Sequence, residues 1–302
     1  MPDGRTGAPG GGPGDVAGQA GEATAGTEVV TVRAPGARLS VRVAGPRDGP
    51  VLVLLHGFPL NGSVWDDQLA ALSDRWLVIV PDLRGHGRSE AGDGQYTIDF
   101  MVDDLFTVLD EIVPPARAAG RHVPVVAGGL SMGGYVVLRA VEREPERFRA
   151  LVLANTRSAA DTDHTRFKRF DAVRAVRERG LGRYAEMFVK TSLGETTRRE
   201  RPDVVGAVER IVLASDPRGL VGAQLAMACR TDTTEALELL RMPTLVIAGE
   251  QDMITPADDA REMATRIAGA RLVIIPRAGH TTALEAPGEF TRALEGFLDG
   301  LL

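Results

Sequence analysis

Residues 28–34 and 37–43 alternate apolar and polar side chains, the period of two that a half-buried strand imposes. Pro35 and Gly36 between them read as a tight turn. Residues 51–55, Val-Leu-Val-Leu-Leu, are an unbroken apolar run, as in a strand covered on both faces of a parallel sheet. The runs at 77–80, 123–127, 151–153, 245–248 and 272–275 repeat it. Between the strands, residues 63–72, 97–112, 132–144, 256–267 and 287–298 place apolar side chains at helical spacing. Eight strands interleaved with helices predict a mostly parallel α/β sheet with helices on both faces.

One stretch departs from this alternation. Residues 156–235 contain no strand pattern but four amphipathic helical ones, at 167–179, 183–193, 202–214 and 219–229. The stretch is too long for a connecting loop. It is expected to be a helical cap, or lid, over one edge of a core made of residues 28–155 and 236–302. Residues 1–27 are rich in Gly, Ala, Pro and Thr without hydrophobic periodicity, the composition of a disordered tail. Its glycines at 10–14 lack the preceding strand and the Lys-Ser/Thr ending of a phosphate loop.

Composition narrows the function. With 35 basic against 41 acidic residues the net charge is −6, the wrong sign for a partner whose phosphates need a basic footprint. The single cysteine, Cys229, excludes an internal disulfide and a cysteine-built zinc site, and fits a reducing, cytoplasmic setting. No basic start followed by an apolar run marks a secretory signal, and no apolar run is long enough to span a bilayer. No nucleic-acid or membrane partner is therefore expected.

The strongest chemical signal is Gly129-Leu130-Ser131-Met132-Gly133. It lies between a strand pattern and a helix pattern, the context in which a sharp turn presents a serine nucleophile. Only small residues fit two before and two after the serine. A serine needs a base, and the base needs an orienting acid. His280 follows the last strand and Asp252 the one before it, in the order serine, acid, histidine. Both lie past the carboxyl ends of strands, where open α/β sheets place their sites. Glu250 is the alternative acid, and His164 falls in the helical stretch as a surface residue. The oxyanion hole is assigned to the backbone N–H groups of Phe58, after the third strand, and Met132, at the helix start; Pro59 has no N–H to offer. His56 at a strand end and His86 in the Gly-rich 82–89 loop read as loop supports rather than bases, and with Asp82 they lack the spacing of a metal site.

These motifs together give the chain a resemblance. From about residue 28 onward it resembles the α/β-hydrolase superfamily, through His-Gly-Phe-Pro at 56–59, Pro-Asp-Leu-Arg-Gly-His-Gly-Arg-Ser at 81–89, Gly-Leu-Ser-Met-Gly-Gly at 129–134, and Gly279-His280 followed by Glu285 and Pro287. Residues 56–61, Trp65, Gln68 and Asn155-Thr156 are similar to 3-oxoadipate enol-lactonases and related carboxylesterases. Dehalogenase and epoxide-hydrolase branches also resemble it but carry Asp where Ser131 stands. The resemblance implies an α/β-hydrolase fold and a lid-covered hydrolase of a small carboxylic ester or lactone, with no cofactor and no metal. It also leaves room for a C–C hydrolase of diketones, a perhydrolase-like haloperoxidase, or a receptor that binds without turnover. Met187, Phe188 and Met227 on the cap helices are candidate pocket walls, or pack the cap on itself. Arg157, just past Asn155, is a candidate to grip a substrate carboxylate through two parallel hydrogen bonds, or is a solvated hinge residue.

Overall fold

The computed structural model describes residues 26–113 and 123–302. The expected tail at 1–27 lies outside the described residues except for its last two. Eight strands form one sheet: β1 (Glu28–Ala34), β2 (Ala37–Ala44), β3 (Val51–Leu55), β4 (Leu77–Pro81), β5 (Val125–Leu130), β6 (Phe148–Ala154), β7 (Thr244–Gly249) and β8 (Arg271–Ile275). Their order is β1-β2-β4-β3-β5-β6-β7-β8. β1 and β2 pair antiparallel, as does β2 with β4, and every other pair is parallel. The half-polar pattern of β1 belongs to the sheet edge. β3, β4, β5 and β7, in the interior, are buried at every residue.

The strand order places the site. From β3 the chain steps one way to β4, then crosses back so that β5 pairs with β3 on its other side. The loops leaving β3 and β5 therefore diverge from adjacent strand ends, the crevice where such sheets bind ligands. Leu55 of β3 stands beside Gly129 of β5, which stands beside Leu153 of β6.

Helices α1 (Asp66–Leu72), α2 (Ile98–Ile112) and α3 (Met132–Arg143) precede the break in alternation, and α8 (Ala257–Arg266), α9 (Thr282–Glu285) and α10 (Pro287–Leu298) follow it. α1 packs with α10, and α2 with α3. Between β6 and β7 stand α4 (Asp163–Ser192), α5 (Glu195–Glu200), α6 (Pro202–Leu213) and α7 (Pro217–Ala228), with α4 against α6 and α7. Two helices were expected where α4 runs, and its geometry agrees: Gly180, at φ 74° and ψ 177°, breaks the helical path between them. The expected strand at 123–127 is displaced to Val125–Leu130. Pro124 has no N–H for the ladder, and the strand instead continues through Gly128 and Gly129, which carry no side chain to mark it. Neither α5 nor the four-residue α9 was anticipated.

Candidate active site

β5 delivers Ser131 to the turn before α3 with φ 51° and ψ −110°, a sparsely populated backbone geometry for a residue with a Cβ. Ser131 N–H donates to Ala154 O (2.9 Å), and Ser131 O accepts from Thr156 Oγ1 (2.8 Å). The turn is so tight that a Cβ on Gly129 would lie 2.3 Å from the carbonyl of Gly133, and one on Gly133 2.4 Å from Leu55 O. Both positions admit only glycine.

Ser131 Oγ–H donates to His280 Nε2 (2.8 Å), and His280 Nδ1–H donates to Asp252 Oδ2 (2.8 Å). A carboxylate only accepts, so Asp252 fixes the proton on Nδ1 and leaves the Nε2 lone pair facing the serine. All three side chains are buried. Asp252 gathers further donors: Asn155 Nδ2 (2.9 Å) and Thr255 Oγ1 (2.8 Å) to Oδ2, and the N–H groups of Ile254 (2.8 Å) and Thr255 (2.9 Å) to Oδ1. Burial by itself raises its pKa. The charge of His280 and the hydrogen bonds from His280, Asn155 and Thr255 outweigh burial and hold it at about 2.

The β3 loop closes on the same point. A Cβ on Gly57, the residue before Phe58, would sit 3.2 Å from the Ser131 Cβ and 3.2 Å from Leu130 O. Met132 is the first residue of α3, where N–H groups have no partner inside the helix. Among the described residues neither the Phe58 nor the Met132 N–H donates to a protein acceptor. A serine with a hydrogen-bonded imidazole and two unengaged N–H groups at a helix start is equipped for acyl transfer.

The sequence pattern of the α/β-hydrolase fold matches residues 50–287, which contain all of these groups. The chain belongs to the α/β-hydrolase family. Within it, this hydrolase stands with enzymes of esterase and lactonase type. It is 29% identical over 269 residues to 3-oxoadipate enol-lactonase 2 of Acinetobacter baylyi, covering 89% of this chain and 96% of that one. It is 28% identical over 261 residues to a pimeloyl-[acyl-carrier protein] methyl ester esterase of Nitrosomonas europaea, covering 85% and 98%. Among solved structures, a thermophilic esterase from Thermogutta terrifontis, described as malate bound, superposes with a TM-score of 0.83 at 34% identity, covering 90% of this chain and 98% of that one.

Other candidates of the hydrolase fall outside this line of contacts. Glu250 Oε2 accepts from Arg277 N–H (3.0 Å), away from the imidazole. His164 is exposed on α4. His56 sets Nδ1 against Gly57 O (2.9 Å) and accepts the Leu83 N–H at Nε2 (2.9 Å), tying the β3 loop to the β4 loop. Burial pushes His56 down to about 4 and, with the neighbouring charge of His56, pushes His86 down to about 3. Asp82 accepts from the N–H groups of Gly62 (2.7 Å) and Arg88 (2.9 Å) and clasps its own loop. Among the described residues no three His, Cys, Asp or Glu side chains converge as a metal ion requires, and no helix is long and apolar enough to cross a membrane.

Arg157 was expected at the mouth of the site. Its Nη2 donates to Ile254 O (2.7 Å) and its Nε lies 3.8 Å from Asp259, so the guanidinium braces the loop that follows Asp252. It also lines a crevice of about 10 Å³ with Tyr135 and Arg230, room for about one water. Phe188 and Met227 are buried, and the Met227 sulfur accepts from Arg169 Nη1 (3.3 Å). Met187 is 45% exposed. Tyr184, on α4, sets its ring 6.3 Å from that of Phe58.

Two supports were not assigned roles in the sequence. Asn155, at φ 45°, reaches both Asp252 and Gly279 O (3.1 Å) and accepts from Thr282 Oγ1 (2.5 Å). An asparagine directly after a strand, a residue type that tolerates the left-handed region, was the available signal. Thr255, three residues beyond the acid, had no signal beyond proximity.

Proposed function

We propose that this hydrolase cleaves small carboxylic esters or lactones through an acyl-enzyme on Ser131. The single observation that carries the reading is the unbroken hydrogen-bonded line from Ser131 Oγ through His280 to Asp252. Ser131 Oγ attacks the carbonyl carbon while its proton passes to His280 Nε2. The imidazolium is stabilised by Asp252, which stays ionised, being held at about 2. The tetrahedral oxyanion is held by the N–H groups of Phe58 and Met132. Collapse expels the alkoxide, which leaves with the Nε2 proton; in a lactone it remains tethered to the acyl group. Water then attacks the acyl-enzyme, giving a proton to Nε2, and the carboxylic acid departs as that proton passes from Nε2 to Ser131 Oγ. No step needs a cofactor. Residues 156–235 act as the lid, with Tyr184 and the buried Phe188 and Met227 shaping the acyl side.

A lactone is favoured as one physiological substrate class by the near full-length similarity to an enol-lactonase. The matching similarity to a methyl ester esterase keeps open-chain esters equally in view. The test is a fluorophosphonate probe followed by a panel of short esters, lactones and vinylogous diketones. Label on Ser131 with prompt ester or lactone turnover is the expected result. Turnover confined to diketones would move the chemistry to C–C cleavage, and tight binding without turnover would make the protein a receptor.

A further inference from the structure

Among the described residues Glu285 is the one buried carboxylate around the site that the chemistry above does not use, and it meets no cation there. Its Oε2 accepts from Gly194 N–H (2.8 Å), Thr197 Oγ1 (2.7 Å) and Gly279 N–H (2.9 Å). Its Oε1 accepts from Thr281 N–H (2.9 Å) and Thr281 Oγ1 (3.0 Å). Gly279 and Thr281 flank His280, whereas Gly194 and Thr197 belong to the α4–α5 junction of the insertion. The same two segments meet again without Glu285. His280 N–H donates to Ser192 O (2.7 Å), and a Cβ on Gly279 would lie 2.2 Å from Gly194 N. On the far side Gln251, beside Asp252, exchanges hydrogen bonds with Thr196, accepting its N–H (3.1 Å) and donating to its Oγ1 (3.0 Å).

We propose that Glu285 is a positioning residue: it mounts the His280 loop on residues 192–197, so that this part of the insertion is a fixed support of the imidazole and does not move with a lid. The proposal rests on His280 being the base. Three of the five donors are backbone N–H groups, which cannot reverse their role. They hold the main chain on both sides of His280 and leave only its side-chain torsions free. A glutamine at 285 is no substitute. Whichever way its amide is turned, one oxygen becomes an N–H₂ group facing at least one backbone N–H, and the loop must shift to relieve the clash of donors. Misplacing a reacting group by about an ångström costs about a hundredfold in rate.

The experiment compares wild type, Glu285→Gln, Thr197→Val and Ser131→Ala with p-nitrophenyl acetate and a fluorophosphonate, at a temperature where circular dichroism shows each variant folded. Glu285→Gln is expected to lower kcat about a hundredfold, with KM within about twofold and phosphonate labelling slowed in parallel. Thr197→Val, which removes one donor from the insertion side only, is expected to lower the same two rates by less. A merely structural role would lower the melting temperature and leave kcat per folded molecule unchanged, and that result in Glu285→Gln overturns the proposal. Should Glu285→Gln not fold, wild-type kcat in Thr197→Val overturns it instead. Ester turnover surviving in Ser131→Ala would defeat the serine reading itself, a different outcome from either.

Discussion

In β3, β4, β5 and β7 every residue is buried, whereas residues 163–179, the first half of α4, bury only Val176. The sheet is held by apolar area that needs no partner of its own. The first half of α4, with little buried apolar area, is tied down at polar points. Asp161, whose side chain is 1% exposed, pairs with both Arg169 and Arg230, and the Arg230 guanidinium lies 4.1 Å over the Tyr135 ring of α3. The candidate site follows the same division. Ser131, Asp252, His280 and Phe58 all leave the carboxyl ends of sheet strands, and the insertion contributes the Tyr184 ring and the clamp at 192–197. A site borne on rigid apolar elements is positioned more precisely than one on loops, and more exposed segments tolerate variation.

The largest losses are expected from the groups borne on the sheet. Ser131→Ala is expected to lower kcat by about a million-fold, measured with a chromogenic short ester. A loss of only tenfold would mean that another group does the chemistry. Asp252→Asn is expected to cost less, about ten-thousand-fold, because the acid orients the imidazole without bonding to substrate. If Asp252→Asn kept full activity while Glu250→Gln lost it, the acid would have to be reassigned.

The core also carries a pH signature. His56 and His86 stay neutral in the folded protein down to about 4 and about 3, while in the unfolded chain they bind protons below about 6.5. The unfolded state therefore takes up more protons between those limits, and stability falls as pH drops from about 6.5 toward 4. At about 1.4 kcal/mol per unit, the loss is on the order of several kcal/mol. Asp252 works in a lower window: its folded pKa is depressed, so its contribution is present above about 4 and lost as pH falls toward about 2. Denaturant midpoints measured from pH 7 to pH 4 are expected to fall throughout that range. A flat profile down to pH 4 would contradict the neutral burial of the two histidines.

Smaller effects separate the regions by packing alone. Phe290, fully buried against Trp65 at 5.6 Å, is expected to cost about 3–5 kcal/mol as Phe290→Ala. Phe167, 67% exposed on α4, is expected to change stability by about 0.5 kcal/mol or less as Phe167→Ala. Equal losses in urea titrations would mean that the first half of α4 is packed as the core is, contrary to its exposure.

Much of the sheet and the hydrogen-bonded line of Ser131, His280 and Asp252 could be read in the sequence because each rests on local signals. Unbroken apolar runs mark buried strands, and Gly129 and Gly133 mark the turn because the backbone there excludes a Cβ. What escaped depends on partners far apart in the chain. Asn155 meets Asp252 across 97 residues and Glu285 meets Gly194 across 91, and no spacing rule joins them. Arg157 has a partner equally distant in the chain. Its position after β6 was legible, but the carbonyl of Ile254 that receives its guanidinium was not.

In the proposed reaction the acyl group passes through Ser131 Oγ. The direct measurement is acid quench during steady-state turnover of a slowly deacylating ester, followed by peptide mass spectrometry. The expected result is an adduct of the acyl mass on the peptide containing Ser131, absent from Ser131→Ala. Steady turnover with no acyl adduct, or an adduct on another residue, would contradict it.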